Sequence, residues 1–244
     1  MFMSEFKMPS LSTKAEYVKD NFDIIASKYD LFNDLSSLYL HRLWKKRIID
    51  IIKSYYNDKQ IQCLDLCCGT GDISLRLSKL ENANIVYSID FSENMLSIAK
   101  SRLKNIPNSK LEIGDATNLV SIANESMDVV TVGFGLRNVN NLDKAISEIY
   151  RILKPGGIFI NLDVGKVKNK FIRFFADFYF FKIVPIVGYA IYGKKNEMFD
   201  YLPVSSLYYP SQEELKVILE NNKFSNVRYE NFVFGNATLH FGVK

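Results

Sequence analysis

The spacing of apolar positions changes near residue 60. Before it, Val18, Phe22, Ile25 and Tyr29 recur at the interval of one helix face, and the chain from about residue 14 to residue 56 is predicted helical. After it, short apolar runs alternate with amphipathic stretches. The runs 61–66, 84–89, 110–113, 127–132 and 157–163 are predicted strands, with helices over 72–80, 92–103 and 141–153 between them. Lys154-Pro155-Gly156-Gly157 reads as the stop of the last helix: a terminal cation, a proline, and a glycine suited to left-handed backbone. A further helix over 211–221 and two runs, 227–234 and 238–243, follow, and Asn236 beside Gly235 suits a hairpin turn. Alternating strands and helices imply an α/β fold: a seven-stranded, mostly parallel sheet with an antiparallel last strand. With no Pro-, Gly- or Ser-rich linker, residues 1–244 are expected to form a single domain, with a helical region at 14–56 and a lid-like insertion at 164–210.

Composition narrows the setting. A 48% hydrophobic content over 244 residues is enough for a sizeable core. The first residues hold no apolar run long enough for a signal peptide, and the three cysteines, two of them adjacent, make no disulfide framework. Both features point to a cytoplasmic setting. Cys63, Cys67 and Cys68 have no histidine or fourth thiol nearby in the sequence, so no metal is expected, and Cys67 and Cys68 read as small residues packing a turn. The formal charge of +4 does not by itself imply a nucleic-acid partner. Its distribution is uneven: between Val164 and Lys195 seven cations face only Asp177, and the same stretch holds nine aromatics.

The densest local signal is Leu64-Asp65-Leu66-Cys67-Cys68-Gly69-Thr70-Gly71-Asp72, a strand running through a glycine turn into a helix. Gly69 and Gly71 allow a tight bend and close approach of a ligand to the backbone. A pyrophosphate-binding loop carries a third glycine. Here that glycine is missing, and Asp72 places negative charge at the helix start. A ligand with a sulfonium and an amino group, such as S-adenosylmethionine, fits better. Asp90 ends the second strand 19 positions after Gly71, the interval at which a carboxylate accepts from ribose hydroxyls. Asp115, after the third strand, could accept from an adenine amino group. The competing explanation is that these acids only cap the next helices.

At this point the sequence resembles the UbiE/MenG family, which C-methylates the ring of prenylated quinols in ubiquinone and menaquinone synthesis. The resemblance runs from about Phe22 to Lys244. It is carried by Phe22-Asp23, Tyr29-Asp30, Asn33, His41-Arg42-Leu43-Trp44-Lys45, Gly69-Thr70-Gly71-Asp72, Asp90-Phe91-Ser92-Glu93-Asn94-Met95-Leu96 and Leu239-His240-Phe241-Gly242. Its most specific stretch is Phe134-Gly135-Leu136-Arg137-Asn138-Val139. Family members usually carry Ser-Tyr-x-Tyr-Leu where this chain has Met198-Phe199-Asp200-Tyr201-Leu202, and often Glu-Phe-Ser where it has Leu162-Asp163-Val164-Gly165. The resemblance implies a Rossmann-like class I methyltransferase, S-adenosyl-L-methionine as cofactor, and Gly69, Thr70, Gly71, Asp90, Asp115, Ala116 and Gly133 around it. Demethylmenaquinol is the favoured substrate, with the methoxy-benzoquinol of ubiquinone synthesis as the alternative.

Methylating an aromatic carbon requires an electron-rich ring held in line with the methyl donor in a dry pocket. Arg137 is suited to steady the phenolate form of a quinol, and Asn138 to hold a quinol oxygen; the alternative for Arg137 is a structural ion pair. His41 and His240 are the two histidines and are weaker candidates for proton transfer. Tyr29, Tyr201 and Ser205 are secondary candidates for the substrate wall. Three rival readings are a nucleic-acid methyltransferase, a membrane- or RNA-binding module, and a dehydrogenase. The first lacks its Asn/Asp-Pro-Pro-aromatic run, and the last lacks the third glycine.

Phe171, Phe174, Phe175, Phe178 and Phe181 share one helical face, and Arg173 and Asp177 are spaced as a pair. The longest uncharged run there, residues 183–193, is 11 long against the ~20 of a membrane span. Aromatics flanked by lysines suit a lid that touches anionic lipid and walls a prenyl pocket. The expected partners are therefore a prenylated quinol and the inner face of the cell membrane. A homodimer is one compatible assembly.

Overall fold

The computed structural model describes residues 6–10, 13–193 and 196–244. Three helices open the chain: α1 (Lys14–Ile25), α2 (Tyr29–Ser36) and α3 (Leu40–Tyr56). Val18, Phe22 and Ile25 are buried, as their spacing predicts. The corner between α2 and α3 turns on Leu38 and Tyr39, both left-handed, with φ of 51° and 63°.

Strands and helices then alternate: β1 (Ile61–Leu66), α4 (Asp72–Ser78), β2 (Ala83–Asp90), α5 (Glu93–Leu103), β3 (Ser109–Ile113), β4 (Met127–Gly133), α6 (Leu142–Ile152) and β5 (Leu153–Val164). The sheet is closed by β6 (Ser225–Phe232) and β7 (Ala237–Val243), in the order β3-β2-β1-β4-β5-β7-β6. The last strand is antiparallel, as predicted, but it is not the edge: β7 lies between β5 and β6 and runs against both. Burial on both faces explains the continuous apolar runs of the central strands. Val130 and Val132 pack with Ile146, Ile149, Leu215 and Leu219 on one face, while Val129 packs with Ile48, Ile52 and Leu77 on the other.

The expected helix stop at Lys154-Pro155-Gly156-Gly157 lies elsewhere. Leu153 is already extended, so β5 follows α6 without a loop, and the left-handed Gly156 (φ 77°) sits within the first residues of the strand. Lys154 serves Asp128 at 2.6 Å rather than the helix end. A bulge in the β4–β5 register absorbs the turn.

Between β5 and α10 (Gln212–Asn221) the chain forms α7 (Lys170–Phe178), a π-helical turn (Tyr179–Ile183), α8 (Val184–Tyr192) and α9 (Met198–Tyr208). The first three continue as one helix of 23 residues, and the wide turn lets it pass Pro185, which has no N–H to give. In length and mean hydropathy, 1.5 over an 18-residue window, this helix reaches the range of a membrane span. The eleven-residue uncharged run understated it, because scattered charges interrupt the run without ending the helix.

The two halves of this helix differ. Val184, Pro185 and Gly188 are buried, and a Cβ on Gly188 would stand 2.4 Å from the Phe199 ring, so the second half docks closely on α9. The first half buries no residue: Phe171 is 73% exposed, and Phe174, Phe175 and Phe178 are exposed beside it. Phe181 is half-buried, and Arg173 acts on Asp177 without an ion-pair contact. Lys194 and Lys195, part of the basic balance read from the sequence, lie outside the described residues.

Candidate active site

Two chambers open at the C-terminal ends of β1, β2 and β4, where a doubly wound sheet places its ligand crevice. The first, about 240 Å³, takes its wall from Gly69, Thr70, Asp90, Asp115, Ala116, Gly133 and Asn138. Gly71 is not part of that wall. Its left-handed backbone (φ 78°) starts α4, and a Cβ there would meet Ala99 of α5 at 3.1 Å. Its absent side chain gives α4 room to pack against α5.

Gly69 stands in left-handed backbone (φ 54°), and its N–H donates to the Asp90 carboxylate at 2.8 Å. The other Asp90 oxygen accepts from the Ser92 N–H at 3.0 Å. Burial pushes the Asp90 carboxyl up to about 6 despite these bonds. Asp65, also on the wall, is likewise raised by burial to about 6, although Ser74 and Thr131 donate to it. Asp72 contrasts with both: burial acts to raise it, but Lys45 at 3.0 Å and Arg76 at 3.1 Å hold it at about 2. Asp115 is exposed, and one of its oxygens accepts from the Thr117 N–H at 2.8 Å; it closes a local turn, and no helix starts there for it to cap. The Thr70 hydroxyl is engaged as well. It donates to Asp30 at 2.7 Å and accepts from Arg102, tying the glycine turn to α2 and α5.

The second chamber, about 390 Å³, is mostly apolar and is formed by α2, α3, the inserted helix and the β6–β7 turn. Ile172, Phe175 and Phe180 supply one side, Trp44 and Phe134 another, and Val233 and Phe234 the rim. Tyr29, Asn33 and Phe134 border both chambers, so they mark the junction. Arg137 lies on the second chamber's wall, next to Asn138 on the first.

Arg137 does make the structural ion pair: its Nη1 meets the Asp163 carboxylate at 2.6 Å, with both side chains almost inaccessible. Burial would lower its pKa, but Asp163 and Tyr29 outweigh it and the net shift is upward. Its Nε, also buried, has no hydrogen-bond partner among the described residues. Tyr29 is raised by burial, with Arg137 opposing. Asn138 accepts from the Tyr201 hydroxyl at 3.1 Å and donates to the Phe134 carbonyl at 3.2 Å. Tyr201 is thus a support for Asn138, not part of either wall, and Ser205 gives its hydroxyl to the Leu202 carbonyl. His240 donates from Nε2 to the Gln212 carbonyl at 3.0 Å, away from both chambers.

Residues 10–244 match the ubiE/COQ5 methyltransferase family. The chain belongs to that family. Among its relatives is a demethylmenaquinone methyltransferase of Leptospira interrogans, 58% identical over 99% of this chain and 98% of the relative. Another, from Staphylococcus aureus, bears the same name and is 38% identical over 94% of this chain and 93% of its own length. Solved structures share the fold. A SAM-dependent methyltransferase from Thermotoga maritima, described as a possible histamine N-methyltransferase, superposes with a TM-score of 0.62 at 20% identity, covering 92% of this chain and 99% of the other. One from Aquifex aeolicus gives 0.55 at 18% identity over 80% and 87%.

Within this methyltransferase, two features escaped sequence reasoning. Lys45 and Asp163 hold Asp72 and Arg137, and nothing in a linear pattern pairs residues 27 and 26 positions apart. Asp163 did stand out as a departure from the usual Glu-Phe-Ser run. The signal was present, and its partner was not.

Proposed function

We propose that this chain transfers a methyl group from S-adenosylmethionine to a ring carbon of demethylmenaquinol, the prenylated naphthoquinol of menaquinone synthesis. One observation carries the reading: a chamber lined by carboxylates and an apolar chamber share the wall residues Tyr29, Asn33 and Phe134, beside a buried arginine. Asp65, Asp72, Asp90 and Asp115 against Lys45 make an acceptor-rich wall suited to a cationic ligand with a ribose diol. S-adenosylmethionine, when bound, supplies an electrophilic methyl group. The protein's residues do the rest. Asp90 accepts from ribose hydroxyls, Gly69 lets the ligand lie against the backbone, Gly133 borders it while leaving room for Ile73, and Asp115 and Ala116 border the adenine.

On the other side, Phe134, Trp44 and Phe175 exclude water from the ring. Arg137, always charged, stabilises the oxygen of the quinol as it becomes phenolate, and the second N–H of Asn138 is left to hold it. A chamber of about 390 Å³ is at the small end for a drug-sized ligand, so it shelters the ring and the start of the tail. The rest of the tail stays in the bilayer. The exposed face Phe171, Phe174, Phe175 and Phe178, with Lys170, Arg173 and Lys182 beside it, is the surface that meets the lipid, and residues 164–210 act as the lid.

The naphthoquinol is preferred over the benzoquinol because both relatives carry the name demethylmenaquinone methyltransferase. Purified protein with methyl-labelled S-adenosylmethionine and short-chain quinols of each type tests this. Labelled naphthoquinol is the expected product. Labelling of the benzoquinol alone overturns the substrate, and labelling of neither overturns the reading.

A further inference from the structure

His41 is the second residue of α3 and borders the apolar chamber with Trp44, Phe134 and Arg137. Nε2 is 2.8 Å from the Asp34 carboxylate, on the preceding helix. Asp34 is itself fixed by a two-point contact with Arg42, at 2.7 and 2.6 Å, and Arg42 and then His41 hold its carboxyl below the usual range. A carboxylate cannot donate, so Nε2 carries the hydrogen and Nδ1 presents its lone pair. That Nδ1 is buried with no hydrogen-bond partner among the described residues. The other histidine also has a bare Nδ1, but it borders no chamber. The pairing of a buried imidazole with an orienting carboxylate is the arrangement of a general base and its orienter.

We propose that His41, oriented by Asp34, is the base that removes the hydroxyl proton of the quinol; this rests on the proposed phenolic substrate. The O–H bond breaks and leaves its electron pair on oxygen, where Arg137 stabilises it. The Nδ1 lone pair takes the proton, and the positive imidazolium is held beside the Asp34 carboxylate. Once the ring carbon has been methylated, it releases its own hydrogen to water as the imidazolium returns its proton to the oxygen. One proton leaves per turnover, and His41 is neutral again.

The charged groups around the ring set its readiness. Burial lowers the pKa of His41, Lys45 from the same helix lowers it further, and Asp34 from α2 and Asp72 from α4 act in the opposite direction. The net shift is downward, so the imidazole is neutral and able to accept a proton at pH 7. Removing Asp34 should lower the pKa further, because it strips away the group that favours the charged form.

The chain holds two histidines, so proton NMR of the ligand-free protein follows each imidazole separately, and His240→Gln assigns them. The midpoint of His41 should fall below ~6.5, and should coincide with the acid limb of kcat/KM for the naphthoquinol. Adding 1-naphthol, a soluble phenol, should move the His41 signal. In Asp34→Asn both the NMR midpoint and the acid limb should move together to lower pH, which a purely structural role would not produce. His41→Gln should lower kcat by on the order of 100-fold and abolish that limb, with S-adenosylmethionine affinity unchanged by calorimetry. If the wild-type limb and the His41 midpoint disagree, or if His41→Gln keeps the limb, the proposal is overturned. These two tests are independent, so a variant that fails to fold still leaves the wild-type comparison decisive. Failure of the wild-type protein to methylate any quinol would instead sink the substrate reading.

Discussion

The two chambers meet at three residues but are built on opposite principles. The first is made from strand ends and a glycine turn, with four carboxylates positioned by backbone N–H groups, hydroxyls and a lysine. The second is made from helices and turns packed by apolar contact, and its rim is held by strained backbone: Leu38, Val233 and Phe234 all have positive φ. A ligand with many hydrogen-bonding groups is recognised by fixed polar partners, which a rigid sheet edge can hold. A greasy ring and tail need shape and dryness, which adaptable helices supply. The exposed aromatics continue the second chamber outward, while the first ends in charge.

The border between the two regions should be the most sensitive place to cut. Arg137→Ala strips the partner from an almost inaccessible Asp163, and loss of one member of a buried pair costs about 3–5 kcal/mol. Denaturant unfolding measures it. Arg137→Lys keeps the charge but loses the planar fork, and kcat should fall about 100-fold while S-adenosylmethionine affinity changes little. Equal losses in both would mean that Arg137 belongs to the first chamber and would erase the distinction.

Within the first chamber, Asp90→Ala should weaken S-adenosylmethionine binding by tenfold or more, since hydrogen bonds to a charged group are worth about 1.5–3 kcal/mol. Calorimetry reads this, and unchanged affinity in a folded variant removes Asp90 from the site. The same chamber should respond to acid. Asp65 and Asp90 titrate at about 6 in the ligand-free protein, above the ordinary carboxyl value. A cationic ligand needs their charged forms, so affinity should hold above pH 7 and fall about tenfold per pH unit for each carboxyl protonated below 6. The sign for folding is the reverse: a raised carboxyl stabilises the empty protein at low pH and loses that contribution as pH rises through 6. S-adenosylmethionine should therefore raise Tm more at pH 7.5 than at pH 5.5.

Smaller effects sharpen the contrast. Gly71→Ala must hold a side chain at φ 78° against Ala99, which should cost about 1–2 kcal/mol of stability. Its effect on ligand affinity should be minor if Gly71 packs helices. Exchanging Phe171 and Phe174 for serine should leave stability within about 0.5 kcal/mol, because both side chains are exposed. The same pair should abolish flotation with anionic liposomes, binding that weakens in salt. Retained flotation would mean that α7 is not the lipid-binding surface.

Much of the architecture is legible in the sequence. Fully buried strands such as β4 declare themselves as apolar runs, and the helices between them as 3.6-residue periods, because both patterns are local consequences of which face meets the core. The carboxylates Asp90 and Asp115 could be placed because the end of each strand in a parallel sheet points to one crevice. Periodicity also found the phenylalanine face of α7. It did not say whether that face looks into the core or out, since an amphipathic stripe is the same in either case; the fold docks α8 on α9 and α2 and leaves the α7 face uncovered. Gly71 reads the same way as Gly69 in sequence, and only the fold sets Gly71 against Ala99 and Gly69 on the chamber wall. Pairings across the chain, Arg137 with Asp163, Asp34 with His41 and Lys45 with Asp72, belong to tertiary structure. The sequence by itself determined which residue types stand at the strand ends. The fold decided which charges neutralise one another, because buried groups must find partners in three dimensions and no linear spacing specifies them.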